Sequence, residues 1–341
     1  MGEMRYMRGT VCLLAVLTAG CIDNAPTPEQ PTATQANLSY LKRTSTSVFF
    51  EPLVEPSPEN HAKVQLGKHL FFDPRLSRDN TVSCATCHDV ANGGDDGRAT
   101  AVGIDGAVGP FNTPTVLNAS LNFAQFWDGR AADLVSQVAG PIHNPIEMGS
   151  HWDEVVSKLE ADAAFMAAFD DVYPGEALSG EVISDAIAEY EAQLITANSP
   201  FDAYLLGDEN ALSERAREGL KTFTGLGCVA CHQGRNLGSN MYQLFGVAGN
   251  YFEDRGNLTE ADFGRYNVTG REEDKFYFKV PSLRNVADTA PYFHDGSVSD
   301  LSEAVRIMAR YQLGRPITDR QVQSIVAFLE SLSGSVDESM L

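Results

Sequence analysis

Cys84-Ala85-Thr86-Cys87-His88 returns 144 residues later as Cys228-Val229-Ala230-Cys231-His232. Two thiols spaced by two residues, with an imidazole directly after, match covalent attachment of a c-type haem. Each thiol forms a thioether link to the porphyrin, and the histidine gives the iron an axial nitrogen. A zinc site, a redox dithiol or a disulfide would each account for a Cys-x-x-Cys pair. None of them explains a histidine after both pairs. The repeat therefore predicts two covalently bound haem c groups, with Cys84, Cys87, His88 and Cys228, Cys231, His232 as the attachment and proximal residues.

The other cysteines fit that reading. Of six in the chain, only Cys12 and Cys21 lie outside the motifs. Arg5 and Arg8 precede an apolar run, Val11 to Leu17, that is too short to span a membrane but suits the core of a signal peptide over residues 1–20. The protein is expected to be exported to the periplasm. Thr18-Ala19-Gly20-Cys21 resembles a lipoprotein processing site, although Leu17 stands four residues before the cysteine instead of three. Ordinary cleavage and a buried thiol remain alternatives to a lipid on Cys21. Residues 21–59, rich in Pro and Thr, read as a flexible tether.

The rest is long enough for two packed domains with one haem motif each, 60–197 and 198–341, whose last helix could pack back on the first domain. Wherever periodicity is strong it is helical: Val155, Val156, Leu159, then Val182, Ile183, Ala186, Ile187, Tyr190 and Leu194. Ser213 to Phe223 reads as a helix running toward the second motif. Thr318 with Gln321 forms a capping box ahead of Val322, Ile325, Val326 and Leu329. The expected fold is mostly α: two cytochrome c-like haem domains with long loops over Gly93 to Pro114 and Gly234 to Gly270.

The formal charge is −21, from 46 acidic and 25 basic residues. Nucleic acid is thereby excluded as a natural partner. An acidic surface would steer a basic electron donor, or simply keep the chain soluble. Function turns on what faces the other side of each iron, because His plus Met suits electron transfer whereas an open face can bind peroxide. Beyond the two proximal histidines only His61, His69, His143, His151 and His294 remain.

Leu66-Gly67-Lys68-His69-Leu70-Phe71-Phe72-Asp73-Pro74-Arg75-Leu76-Ser77 and the first haem motif resemble the bacterial di-haem cytochrome c peroxidases. So do Asn112-Thr113-Pro114-Thr115-Val116-Leu117-Asn118 and Phe126-Trp127-Asp128-Gly129-Arg130. Leu283-Arg284-Asn285-Val286 and Thr289-Ala290-Pro291-Tyr292-Phe293-His294-Asp295-Gly296 continue the match, which runs from about residue 60 to the end.

The resemblance implies that the second haem, held through His232, is the high-potential centre where electrons arrive, with Met308 as its distal ligand. A related maturation enzyme of methylamine dehydrogenase uses tyrosine there, so Met308 argues against that branch. The first haem, held through His88, is implied to be the peroxidatic centre, with Glu147 moving protons between the peroxide oxygens and Gln137 in its pocket. Trp127 is implied to lie between the haems, where an aromatic ring shortens the tunnelling path, and it is also a good core residue. Asn112, Thr289 and Pro291 match positions that hold a calcium ion. His69 reads as packing beneath the haem, and His294 as structural, near the domain junction.

One departure stands out. Many members of this family carry a histidine on the loop after the first motif, capping the oxidised peroxidatic iron. The loop here, Ala101 to Pro110, contains none, and Ile104 stands in that place. An alkyl side chain cannot ligate iron, so the first haem is expected to be open when oxidised, with His143 the first substitute ligand to consider. The expected reaction is reduction of hydrogen peroxide to two waters with electrons from a soluble cytochrome c or a small copper protein, by a homodimer. A non-catalytic di-haem electron carrier and a maturase oxidising a protein side chain are the alternatives.

Overall fold

In the computed structural model, which describes residues 48–58 and 60–341, the element that precedes each haem motif is a capped helix. Asn60 accepts the Lys63 N–H to start α1, His61–Phe71, and Ser213 accepts the Ala216 N–H to start the helix Glu214–Leu226. The chain continues through α2 (Cys84–Cys87), α3 (Leu134–His143), α4 (Trp152–Glu160), α5 (Ala163–Val172), α6 (Gly180–Glu191) and α7 (Pro200–Leu205). Next come α8 (Glu214–Leu226), α9 (Tyr251–Arg255), α10 (Tyr266–Thr269), α11 (Leu301–Ile307) and α12 (Asp319–Glu330). Thr318 and Gln321 form the expected capping box on α12. Strands β1 (Tyr242–Leu244) and β2 (Tyr277–Lys279) pair antiparallel, with Tyr242 opposite Lys279. The signal peptide, Cys12, Cys21 and the tether up to residue 47 lie outside the described residues.

The two halves repeat one helix crossing. A Cβ on Gly67 of α1 would fall 1.9 Å from the Ala186 carbonyl oxygen of α6, and one on Gly219 of α8 would fall 1.8 Å from that of Ser324 in α12. Only glycine lets the backbones approach this closely. Four residues beyond each glycine, Phe71 packs on Tyr190 (5.2 Å between centroids) and Phe223 on Phe328 (5.3 Å). The same phenylalanines lie 6.5 Å from the His88 ring and 6.4 Å from the His232 ring.

A second repeat, offset by 167 residues, joins the halves. Pro114, Asn118, Phe126, Trp127, Asp128 and Gly129 correspond to Pro281, Asn285, Phe293, His294, Asp295 and Gly296. Asn118 and Asn285 are both buried at positive φ (60° and 57°), and so are Phe126 and Phe293 in backbone angle (69° and 71°). The contact is reciprocal: the Asn112 N–H donates to the His294 carbonyl (2.8 Å), and the Lys279 N–H donates to that of Trp127 (2.9 Å). Thr196 bridges the repeats, accepting from Asn118 Nδ2 (2.9 Å) and donating to Asn285 Oδ1 (2.8 Å).

The described residues cluster as one compact unit. Its first apolar core is built mainly from residues between Val64 and Leu194, its second from residues between Phe201 and Leu332. Both accept a segment from the far end of the chain. Phe50, 2% exposed, packs between Phe201 and Phe328 in the second core, while Val336 and Met340 join the first. The Tyr190 hydroxyl donates to the Met340 carbonyl (2.6 Å). Two expectations change accordingly. The proline-rich stretch is anchored at Phe50 and Leu53, both buried, instead of running free to residue 59. The last helix stays in its own half, crossing α8, and it is the tail beyond it that returns. His69 also differs: its side chain is 62% exposed, beside Asp73 and Phe165.

Candidate active site

At the first motif, Ser83 and Thr86 form a capping box that winds Cys84–Cys87 into a single helical turn ending at His88. The thiols of Cys84 and Cys87 are free. Burial pushes both up, Cys87 to about 11, so neither is the activated thiolate of a redox dithiol. His88 Nδ1 lies 3.1 Å from the Gly94 carbonyl oxygen. A carbonyl can only accept, so this nitrogen carries the proton and Nε2 keeps its lone pair for a metal. Burial also holds the imidazole below its ordinary pKa, favouring the neutral form that ligation requires.

The second motif repeats this chemistry. Gly227, at φ 99°, turns the chain from α8 into a 3₁₀ turn over Cys228–Ala230. His232 Nδ1 faces the Leu237 carbonyl at 3.0 Å, and burial lowers its pKa to about 4. Cys228, Cys231, His232 and Met308 all line one cavity of about 410 Å³, walled largely by apolar side chains such as Phe223, Leu283, Ile325 and Leu329. Met308 opens a π-helical turn, Met308–Gln312, continuing α11. Such single π-turns inside helices are rare, and they occur frequently at functional sites. Free thiols, a neutral imidazole with one available nitrogen and a thioether on one dry cavity fit a covalently held haem.

On the first half, Glu147 sits in a tight turn after α3. Asn144 Nδ2 donates to its Oε1 (2.7 Å), and the Glu147 N–H donates to the Asn144 carbonyl (3.0 Å). Burial raises its pKa, opposed by the Arg130 charge and the Asn144 bond. After burial and the Asp96 charge, its charge also helps push the Cys87 thiol up. Gln137 lies on α3, on the same face as Pro141 and Asn144, and no hydrogen bond joins it to Glu147 among the described residues. Ile104, 1% exposed, is packed into the first core and donates its N–H to the Glu147 carbonyl (2.9 Å). His143 is exposed and lies edge-on to Trp152 (5.4 Å).

Trp127 lines the same cavity as His232 and Met308, together with Asn112, Thr289, Pro291 and His294. Its indole N–H donates to the Asn112 carbonyl (2.9 Å), and its ring lies edge-on to His294 at 6.5 Å. Asn112 Nδ2 donates to the Arg98 carbonyl (2.9 Å), which turns its amide oxygen the other way, as a hard cation would need. His294 is buried, and its Nε2 meets Asp262 Oδ1 at 2.8 Å. Arg255 pairs with Asp262 (2.7 Å) and with Asp295. These bonds hold Asp262 far below the usual carboxylate range despite its burial. With a guanidinium already spanning both carboxylates, this cluster is a closed charge network.

The sequence reading passed over Asn144, Arg130, Lys279 and Asp262. Asn144-x-x-Glu147 is a local hydrogen-bonding spacing, and Arg130 closes a quoted motif, so both carried a signal. The internal repeat at offset 167 would have paired Trp127 with His294 and Asn112 with Lys279.

A mostly helical chain with two such thiol and imidazole sites falls in the class of covalent di-haem c-type cytochromes. A family model described as di-haem cytochrome c peroxidase matches residues 61–210. The chain is 46% identical over 296 residues to the cytochrome c551 peroxidase of Pseudomonas aeruginosa, covering 84% of this chain and 85% of that one. It is 50% identical over 285 residues to the cytochrome c peroxidase Ccp of Escherichia coli, covering 83% of this chain but only 61% of that protein's length. Among solved structures, a MauG-like protein associated with microbial copper homeostasis aligns with a TM-score of 0.73 at 29% identity, over 85% of this chain and 93% of that one. The chain belongs to the di-haem cytochrome c peroxidase family. As a member it is an oxidoreductase that carries two haem c groups.

Proposed function

We propose that the protein reduces hydrogen peroxide to two waters, taking two protons from the medium and two electrons from a soluble cytochrome c or a small copper protein. Cys228, Cys231, His232 and Met308 would hold the haem that receives electrons, and Cys84, Cys87 and His88 the haem at which peroxide reacts. The bound haems supply the redox equivalents. The polypeptide supplies an acid–base group at Glu147, whose carboxyl is held by Asn144 and charge-compensated by Arg130. What supports this reading is the asymmetry between the sites: His232 and Met308 line one cavity, whereas the loop after the first motif has no histidine and its Ile104 is buried in the first core. Trp127 would lie on the electron path. Gln137 would be a neutral hydrogen-bonding partner in the pocket.

Asn112, Thr289 and Pro291, gathered around the same cavity as Trp127, would hold one calcium ion between the halves. The halves themselves would be two cytochrome c-like domains meeting near residue 197. We read the protein as exported to the periplasm, with a lipid on Cys21 as its membrane attachment and a homodimer as its working form. Among the described residues no helix is long and apolar enough to cross a membrane.

The test is peroxide-dependent oxidation of a reduced cytochrome c by the purified di-haem protein. Catalytic turnover supports a peroxidase. Stoichiometric oxidation that stops after two electrons would make it a carrier instead.

A further inference from the structure

Lys279 is 7% exposed and lines the cavity, and among the described residues its Nζ makes no hydrogen bond and no ion pair. Burial alone lowers its pKa to about 8. Leaving an ammonium unpaired in an apolar wall costs several kcal/mol, so such groups persist where something else supplies the counter-charge. Lys279 ends β2 and lines the cavity that also presents Cys228, Cys231, His232 and Met308. Its place is fixed on both sides: Tyr242 opposes it across the sheet, and its N–H donates to the Trp127 carbonyl (2.9 Å).

We propose that Lys279 is the counter-ion of a propionate of the second haem and, through that charge, a residue that raises this haem's reduction potential. A haem brings two carboxylates of its own into a cavity whose other lining groups are mostly apolar. A cation fixed beside it favours the ferrous state, in which the iron carries one positive charge fewer. The backbone bond to Trp127 places Lys279 where the two halves meet. Lys279 is thus a positioning and tuning residue that touches the cofactor's periphery, distinct from the axial pair. The inference rests on the reading of this cavity as the His232/Met308 haem site.

The experiment uses the purified di-haem protein, with Lys279→Met and Lys279→Arg as variants. The sulfur-to-iron charge-transfer band of the oxidised wild type reports Met308 ligation, and its absence would overturn the axial reading separately. With that band present, redox titration of the second haem is expected to show Lys279→Met shifted to lower potential by at least tenfold in the oxidised-to-reduced ratio, about 59 mV. Lys279→Arg is expected to stay near the wild type. Lys279→Met should also lower the denaturation midpoint, because it strands a buried propionate, whereas removing an unpaired ammonium would raise it. A Lys279→Met protein with unchanged potential and equal or higher stability overturns the proposal. If Lys279→Met fails to retain the second haem while Lys279→Arg retains it, the charge is required and the proposal stands. Loss of the haem in both variants assigns Lys279 to packing and overturns it.

Discussion

The backbone N–H of Ile104 donates to the carbonyl oxygen of Glu147 at 2.9 Å. This bond fastens the loop that lacks a capping histidine onto the turn that carries the acid. A Cβ on Gly103 would fall 2.2 Å from the Ile146 carbonyl, and one on Gly149 would fall 2.4 Å from Ile104 Cδ1. The two loops are therefore packed with little slack.

The oxidised protein is expected to contain high-spin ferric iron at the first haem, and to react with peroxide at once whether fully oxidised or half-reduced. Electron paramagnetic resonance and stopped-flow mixing of the two forms check this. A purely low-spin spectrum, or a lag abolished by prior reduction, would sink it. Ile104→His should then introduce both the low-spin signal and the lag.

Glu147→Gln is expected to lower kcat/KM for peroxide by roughly 10²–10⁴ with haem content unchanged. Arg130→Gln acts more gently. Arg130 opposes the burial that raises the Glu147 pKa, so its removal should move the acidic limb of the kcat/KM profile toward higher pH. An unmoved limb would detach Arg130 from Glu147.

Glu191 on α6 is fully buried, and burial raises its carboxyl to about 8. Its folded pKa lies above the unfolded value, so its contribution to stability is fully present below about pH 4.5 and is lost as pH rises through about 8. The loss is at most about 5 kcal/mol. Urea midpoints of the holoprotein should fall between pH 5 and pH 8, and Glu191→Gln should flatten that fall. Equal slopes in both proteins would contradict this.

Arg284 and Asp202 form an ion pair at 2.9 Å, each about 1% exposed. Asp202 also accepts the Leu53 N–H (2.8 Å), and Ser199 completes the cluster. Asp202→Ala strands the guanidinium, and is expected to cost on the order of 3–5 kcal/mol. Amide exchange over 50–54 should accelerate in the same variant. If only global stability drops, Leu53 is held by apolar packing alone.

Haem attachment, the helical class, the α12 capping box and the α8 helix were legible because each rests on short spacings: two residues between thiols, three across a cap, three to four along a helix. Other features depend on groups far apart in sequence. That His88 and His232 each donate Nδ1–H to a carbonyl five or six residues on follows from loop shape, which spacing does not reveal. The exposure of His69 was misread because a helix next to a haem has an outer face too. Lys279 carries no signal in the sequence, and only the cavity shows what it faces. The duplication was written in the chain, but it was hidden by paired substitutions such as Trp127 for His294, and by the unequal lengths between each crossing helix and its motif.

Phe50 belongs to the second core, with Leu53 buried beside it in the chain and bonded to Asp202, and Val336 and Met340 belong to the first. Each half thus grips a strap sewn to the other, and residue 197 is not a line along which the molecule can be cut. The residues that complete the first core are made only after the whole second half, so the N-terminal half cannot finish packing until that half has been synthesised. Damage at Val336 and Met340 should accordingly be felt at the His88 haem before the His232 haem, although His232 is by far the nearer in sequence.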